Sequence, residues 1–153
     1  MADAALAGIR VVELGSLVAA PYAAKLLADF GADVVKVEGP AGDPLRALDA
    51  DFFDNLNTSK RGVVLDLETA AGRSQLAQLV AKADVVVEDL APGRLAELIG
   101  DPWAGNAKLV VASITPYGQD GPRAGWKGGD LIGWAAGGMA YISGEPEQEP
   151  LAP

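Results

Sequence analysis

Residues 9–38 read IRVVELGSLVAAPYAAKLLADFGADVVKVE, and this stretch decides the fold. Ile9 to Leu14 and Asp33 to Glu38 are short runs rich in β-branched residues, which predicts strands. Between them, Pro21 sits where a first helical position is expected, Ala23, Leu26, Leu27 and Phe30 recur at helical spacing, and Gly31 ends the pattern. The stretch is therefore one strand–helix–strand unit. Working outward, the same grammar repeats. Gly62 to Leu67 (GVVLDL), Asp84 to Asp89 (DVVVED) and Lys108 to Thr115 (KLVVASIT) predict three further strands. Thr69 to Ala81 sets Leu76, Leu79 and Val80 on one helical stripe, and Pro92 to Ile99 does so with Leu95, Leu98 and Ile99 before Gly100. Three of the five strand runs are nearly continuous apolar stretches, as in strands buried on both faces of a parallel sheet. The fold class is α/β: an open, mostly parallel sheet with helices on both faces.

Composition narrows the function. The 153 residues carry 12 Lys plus Arg against 21 Asp plus Glu, a net charge of −9, which argues against a nucleic-acid partner because phosphate contacts need clustered positive charge. There is no histidine and no cysteine. Imidazole bases, cysteine-ligated metals, thiol nucleophiles and disulfides are thereby excluded, and no metal is expected. Asp3 and the short apolar run before Arg10 do not make a signal peptide, and no stretch approaches the roughly 18 apolar residues of a membrane helix. A cytoplasmic location is expected, with no membrane partner. From Gly118 a glycine-rich loop, GQDGPRAGWKGGD, leads to an apolar helix over Leu131 to Tyr141 broken at Gly137 and Gly138. Residues 1–144 are read as one domain and residues 145–153, rich in Pro and Glu, as a linker or truncated element.

In an open parallel sheet ligands sit beyond the carboxyl ends of the strands. The loop after the first strand, Gly15 to Pro21, leads small residues into a helix N-terminus, which suits an anion such as a phosphate or is a plain tight turn. It lacks the glycine fingerprint of a dinucleotide site, although Glu38 stands where a ribose-binding acid would stand. Arg46, Lys60 and Arg61 fall in the connection between the second and third strands, Arg94 in the first turn of a helix, and Arg123 and Lys127 in the glycine-rich loop. As a group they point to a polyanionic ligand held locally against an adverse overall charge.

Three ordered blocks, residues 7–46, 57–98 and 107–144, together resemble the class III CoA-transferases, the family of formyl-CoA and L-carnitine CoA-transferases and the α-methylacyl-CoA racemases. The resemblance runs from about Leu6 to Gly144. It implies a Rossmann-like large domain that binds coenzyme A, or acyl-CoA as substrate, across its strand ends, with a carboxylic acid as acceptor, in an interlocked homodimer. By position, Ser16, Leu17, Val18 and Ala19 would line the adenosine and pantetheine region. The family's Asn-x-x-Lys-Arg element falls on Asn57, Lys60 and Arg61, with Leu65 in the strand that follows, and Arg46 and Arg94 join the CoA-binding set. The Glu-Asn-Phe-x-Pro-Gly element falls on Glu88, Asp89, Leu90, Pro92 and Gly93, so that Asp89 and Leu90 replace an Asn and an aromatic. Lys127 stands where some members keep a CoA-contacting lysine.

The racemase Gly-His-Asp triplet here reads Gly128, Gly129, Asp130, which removes the histidine base and argues against racemisation. Asp130 is a substrate-side candidate. The aspartate nucleophile of the transferases is expected after Pro153, so the chain reads as an N-terminal portion of a longer transferase and is expected to be inactive alone. Two other readings stay open: a non-catalytic acyl-CoA-binding or regulatory module, and a dinucleotide-binding domain.

Overall fold

The computed structural model describes residues 4–145 and 147–149. Pro146 and residues 150–153, over half of the segment expected to be a linker, lie outside the described residues. Two compact units divide the chain at Ile114 and Thr115.

The first unit is a five-stranded, all-parallel sheet. Its strands are β1 (Arg10–Leu14), β2 (Asp33–Glu38), β3 (Lys60–Val64), β4 (Val85–Glu88) and β5 (Val110–Ser113), in the spatial order β3-β2-β1-β4-β5. The order reverses between β1 and β4, the place where an open α/β sheet leaves a crevice at its carboxyl edge. Helix α1 (Ala19–Asp29) covers one face, where Ala20, Ala24 and Ala28 lie flat on Val11, Val34 and Val87. Helices α4 (Ala70–Val80) and α5 (Arg94–Ile99) cover the other, with Leu76, Val80, Leu95 and Leu98 packed on Val12, Leu14 and Val86. The consecutive valines of β1 thus serve opposite cores, which explains runs without alternation.

The β2–β3 connection departs from expectation. It holds two short helices, α2 (Leu45–Leu48) and α3 (Ala50–Leu56), built around a separate cluster of Leu45, Phe53 and Leu56. The Asp49 carboxylate caps α3 by accepting from the Phe52 N–H at 2.9 Å. Only Arg46 belongs to this connection: Lys60 and Arg61 open β3, which starts two residues before the apolar run Gly62 to Leu67. In the second unit, α6 (Asp130–Ala136) and α7 (Met139–Ile142) flank the predicted break, with Gly138 left-handed at φ 81°. There, Trp126 packs edge-on against Tyr117 at 5.8 Å and under the Arg123 guanidinium at 5.1 Å.

Candidate functional site

Three adjacent strands each place a charged side chain on the face under α1. Register pairs Glu13 with Lys36 and Val34 with Lys60, and paired residues project to the same side. The Lys36 ammonium donates to Glu13 Oε1 at 2.8 Å and to the Gly15 carbonyl at 2.9 Å, and pairs with Asp43 Oδ2 at 2.9 Å. Lys60 Nζ lies 2.7 Å from Glu13 Oε2 and donates to the Pro21 carbonyl at 2.7 Å and Asn57 Oδ1 at 2.9 Å. All four charged side chains are buried, and two carboxylates balance two ammoniums. The balance is required, because a lone buried charge costs several kcal/mol. Burial opposes the charge on Lys36, but Glu13 and Asp43 outweigh it and hold the ammonium above its ordinary range. Burial pulls Lys60 below its ordinary range, with Glu13 opposing.

The network ends at the carboxyl edge, in the loop from Gly15 to Val18. Asp43 Oδ1 accepts from the Leu17 N–H at 3.1 Å and the Leu45 N–H at 2.9 Å. From the other side of the switch point, Asp89 accepts from the Ser16 N–H at 3.2 Å and the Ala20 N–H at 3.3 Å. The α1 N-terminus, a candidate phosphate cradle in the sequence, thus has an internal carboxylate seated on it. Burial pushes the Asp89 carboxyl up, against the lowering effect of the Ala20 and Ser16 donors. Leu17 holds a left-handed φ of 59°, rare for a branched side chain. Gly15 is obligatory, since a Cβ there would collide with Ala20 Cβ.

Beside this loop, Glu38 at the end of β2 grips Arg46 through two 2.8 Å hydrogen bonds, and the guanidinium lies 3.8 Å over the Phe53 ring. Arg46 and the Asp43 N–H hold the Glu38 carboxyl below its usual range, although burial acts the other way. Asp43 is also held low: burial raises it, but the Leu45 and Leu17 amides and Lys36 prevail. A cleft of about 130 Å³ opens here between Arg46, Phe53, Asn57 and Arg61. Chemically the edge offers an apolar lip, with Leu17 and Val18 41% and 46% exposed, flanked by cations that already have carboxylate partners. No residue at this edge is a base of the imidazole or thiol type.

A family model for CoA-transferase family III matches residues 6–153, nearly the whole chain. The chain belongs to CoA-transferase family III. Curated relatives include a succinate–glutarate CoA-transferase of Agrobacterium fabrum, 40% identical over 95% of this chain and 41% of that protein. The β subunit of a succinyl-CoA–L-malate CoA-transferase of Chloroflexus aurantiacus is 39% identical over 97% of this chain and 39% of its own length. Among solved structures, a CAIB/BAIF family protein from Brucella suis superposes with a TM-score of 0.93 at 35% identity, covering 99% of this chain and 44% of that one. The chain spans about two fifths of the length of the curated relatives it matches.

Within this family III chain, the structure brings Ser16, Leu17, Val18, Ala19, Asp89 and Leu90 together at the ends of β1 and β4. Arg46 stands at the end of β2, and Arg94 joins the same edge by pairing with Glu68, just past β3, at 3.1 Å. Other candidates sit elsewhere. Leu65 is buried in the core beneath α4. Lys60 is spent inside the charge network, and Arg61, although it lines the cleft with Arg46, has its guanidinium paired with Asp33 at the amino end of β2, 2.6 Å away. Lys127 and Asp130 belong to the second unit, Asp130 as the first residue of α6. Sequence reasoning passed over Glu13, Lys36 and Asp43. The signal was present: a lone Glu in RVVEL and a lone Lys in DVVKVE, set where a buried strand has no use for charge unless the charges meet. Among the described residues no cluster of acidic side chains is placed to hold a metal ion, and no helix is long and apolar enough to cross a membrane.

Proposed function

We propose that this chain is the CoA-binding part of an enzyme that moves coenzyme A between an acyl-CoA thioester and a carboxylic acid. The family match over residues 6–153 carries the reading, since it takes in every carboxyl-edge loop. In this route an aspartate carboxylate, placed after Pro153 by the resemblance, attacks the thioester carbonyl and expels the CoA thiolate, leaving an acyl-aspartyl anhydride. The thiolate attacks the aspartyl carbonyl, which releases the donor acid and leaves an aspartyl-CoA thioester. The acceptor carboxylate attacks that thioester and frees the thiolate again. Attack of the thiolate on the acceptor carbonyl then gives the new acyl-CoA and restores the aspartate. Splitting one transfer into such steps lowers each barrier.

The residues of this chain bind and orient. Leu17 and Val18, with Ser16 and Ala19, receive the adenosine and pantetheine arm, Arg46 and Arg94 face the anionic groups, and Asp89 and Leu90 lie toward the thioester. Lys60 and Leu65 support the edge from within. Arg61 has its place in the cleft wall besides the resemblance, and Lys127 and Asp130 rest on the resemblance alone. The enzyme is a cytoplasmic homodimer in this proposal, which the absence of cysteine and the exposed row Tyr22, Leu26 and Phe30 along α1 support.

Calorimetric titration of the protein with CoA, with NAD as control and over a range of salt, is the direct test. Binding of CoA that weakens with salt, without binding of NAD, is expected. Binding of NAD in preference to CoA would overturn the reading in favour of a dinucleotide domain. CoA binding by the full-length enzyme without exchange between acyl-CoA and any carboxylic acid would instead indicate a non-catalytic acyl-CoA module.

A further inference from the structure

The buried network of Glu13, Lys36, Asp43 and Lys60 needs a reason to exist. Replacing a buried ion pair by well-packed apolar side chains is often neutral or stabilising, so stability alone does not account for four charges under α1. Their attachments do. Lys36 has three N–H donors and three acceptors, Glu13 at 2.8 Å, the Gly15 carbonyl at 2.9 Å and Asp43 at 2.9 Å. One of these acceptors belongs to the β1–α1 loop itself. Another, Asp43, holds that loop's Leu17 N–H through its second oxygen at 3.1 Å. A single buried ammonium therefore grips the loop at Gly15 directly and at Leu17 through one carboxylate.

The loop also holds one of the two non-glycine residues with a left-handed φ among the described residues, Leu17, the other being Ser59. Leu17 at φ 59° adopts a conformation in which Cβ crowds the following carbonyl oxygen, so it is unfavourable for a residue that carries a side chain. Such a conformation persists only where its surroundings over-determine it, and such sites gather at ligand clamps. The result of the strain is presentation: Leu17 and Val18, both apolar, remain 41% and 46% exposed at the lip of the switch point.

We infer that Lys36 is a positioning residue, which through Gly15 and Asp43 holds the Gly15–Val18 loop in the single conformation that receives CoA. This rests on the CoA reading above. Lys36 itself touches no ligand, because its side chain is 2% exposed. Lys36→Met removes the grip on Gly15 and leaves the Asp43 carboxylate without its ammonium, so that Asp89 on Ser16 and an unpaired Asp43 on Leu17 are all that hold the left-handed turn. Asp43→Asn keeps an oxygen for the Leu17 N–H but loses the pairing with Lys36, so it loosens the loop while leaving Lys36 paired with Glu13.

The test compares two independent quantities. Amide NMR of the unliganded protein gives the fraction of molecules with Ser16 and Leu17 in the wild-type environment, with Val12 and Val86 as core controls. Calorimetry gives the affinity for CoA. A protein whose competent state is only partly populated binds with an apparent Kd raised by the inverse of that fraction. In Lys36→Met the Ser16 and Leu17 signals are expected to split or broaden with the core signals unmoved. The Kd for CoA should rise by that inverse, about tenfold if one molecule in ten keeps the loop. Asp43→Asn, the second variant should Lys36→Met fail to fold, should obey the same relation with a smaller loss. A lowered melting temperature with loop signals and Kd both unchanged would overturn the inference, as would a weakened Kd over an unperturbed loop. Failure of the unsubstituted protein to bind CoA would sink the CoA reading instead, while the loop populations, measured without ligand, would still decide whether Lys36 is the clamp.

Discussion

At the scale of single residues, Asp89 shows how a carboxylate can be well bonded and still unfavourable. Burial raises it, and two backbone donors only partly offset that. The sign follows from linkage. A carboxyl raised in the folded state favours folding while protonated, and that contribution is lost as pH climbs from the unfolded value through the folded one. The charged form is therefore a burden at neutral pH. Asp89→Asn removes the burden, keeps one acceptor for the Ser16 and Ala20 amides, and restores the residue type that the family element carries. Thermal unfolding should show a melting temperature raised at pH about 7 and little changed below pH about 4. A lower melting temperature at neutral pH would mean that the second carboxylate oxygen matters more than its desolvation. Asp89 was legible as a departure from a family element, whereas Glu13 and Lys36 were not legible as partners. Hydropathy cannot tell a buried charge with a partner from an exposed one, and only the register of β1 on β2 sets the two face to face.

At the scale of elements, local signals carried furthest where an element is long and its ends are marked. β2 runs from Asp33 to Glu38 as its composition predicts, and α4 starts at Ala70 after a Thr69 N-cap whose hydroxyl accepts from the Gly72 N–H at 3.0 Å. Gly72 fits so closely over the Asp66 backbone that a Cβ would collide with it, so cap and glycine together fix where this helix enters the fold. Thr69→Ala should lower stability by about 1 kcal/mol, read in a denaturant titration, with no change in CoA affinity because α4 faces the opposite core. An effect on affinity equal to that on stability would contradict the separation of the two faces. The start of β3 was misplaced for a physical reason: Lys60 and Arg61 carry no β signal and join the ladder because Glu13 and Asp33 neutralise them. Likewise α2 and α3, four and seven residues long, are too short for periodicity to reveal and rest on three residues of their own.

At the scale of the whole molecule, two electrostatic effects of opposite sign set the response to acid. The net charge of −9 makes the compact state repel itself at neutral pH, and lowering pH toward the isoelectric point near 4.3 relieves that repulsion. Glu38 and Asp43 work the other way. Both are held below their ordinary values of 4.5 and 3.8, so their contribution is present above those values and is lost as pH falls through the folded ones. Asp89, raised by burial, regains a little stability over part of the same range. The melting temperature should therefore hold level or rise slightly from pH about 7 to about 5, then fall steeply below about 4 as the carboxylates that tie the β2 edge to Arg46 and Lys36 take up protons. Added salt should raise the neutral plateau by screening the repulsion and leave the acid limb largely in place, because Asp43 and Glu38 are shielded from solvent ions. Circular dichroism melts across that range at low and high salt decide the matter. Stability that keeps rising below pH about 3.5 would show that repulsion alone governs the molecule and that the buried carboxylates contribute nothing. A steep acid limb that flattens in Asp43→Asn would assign the fall to the same carboxylate that tethers Leu17.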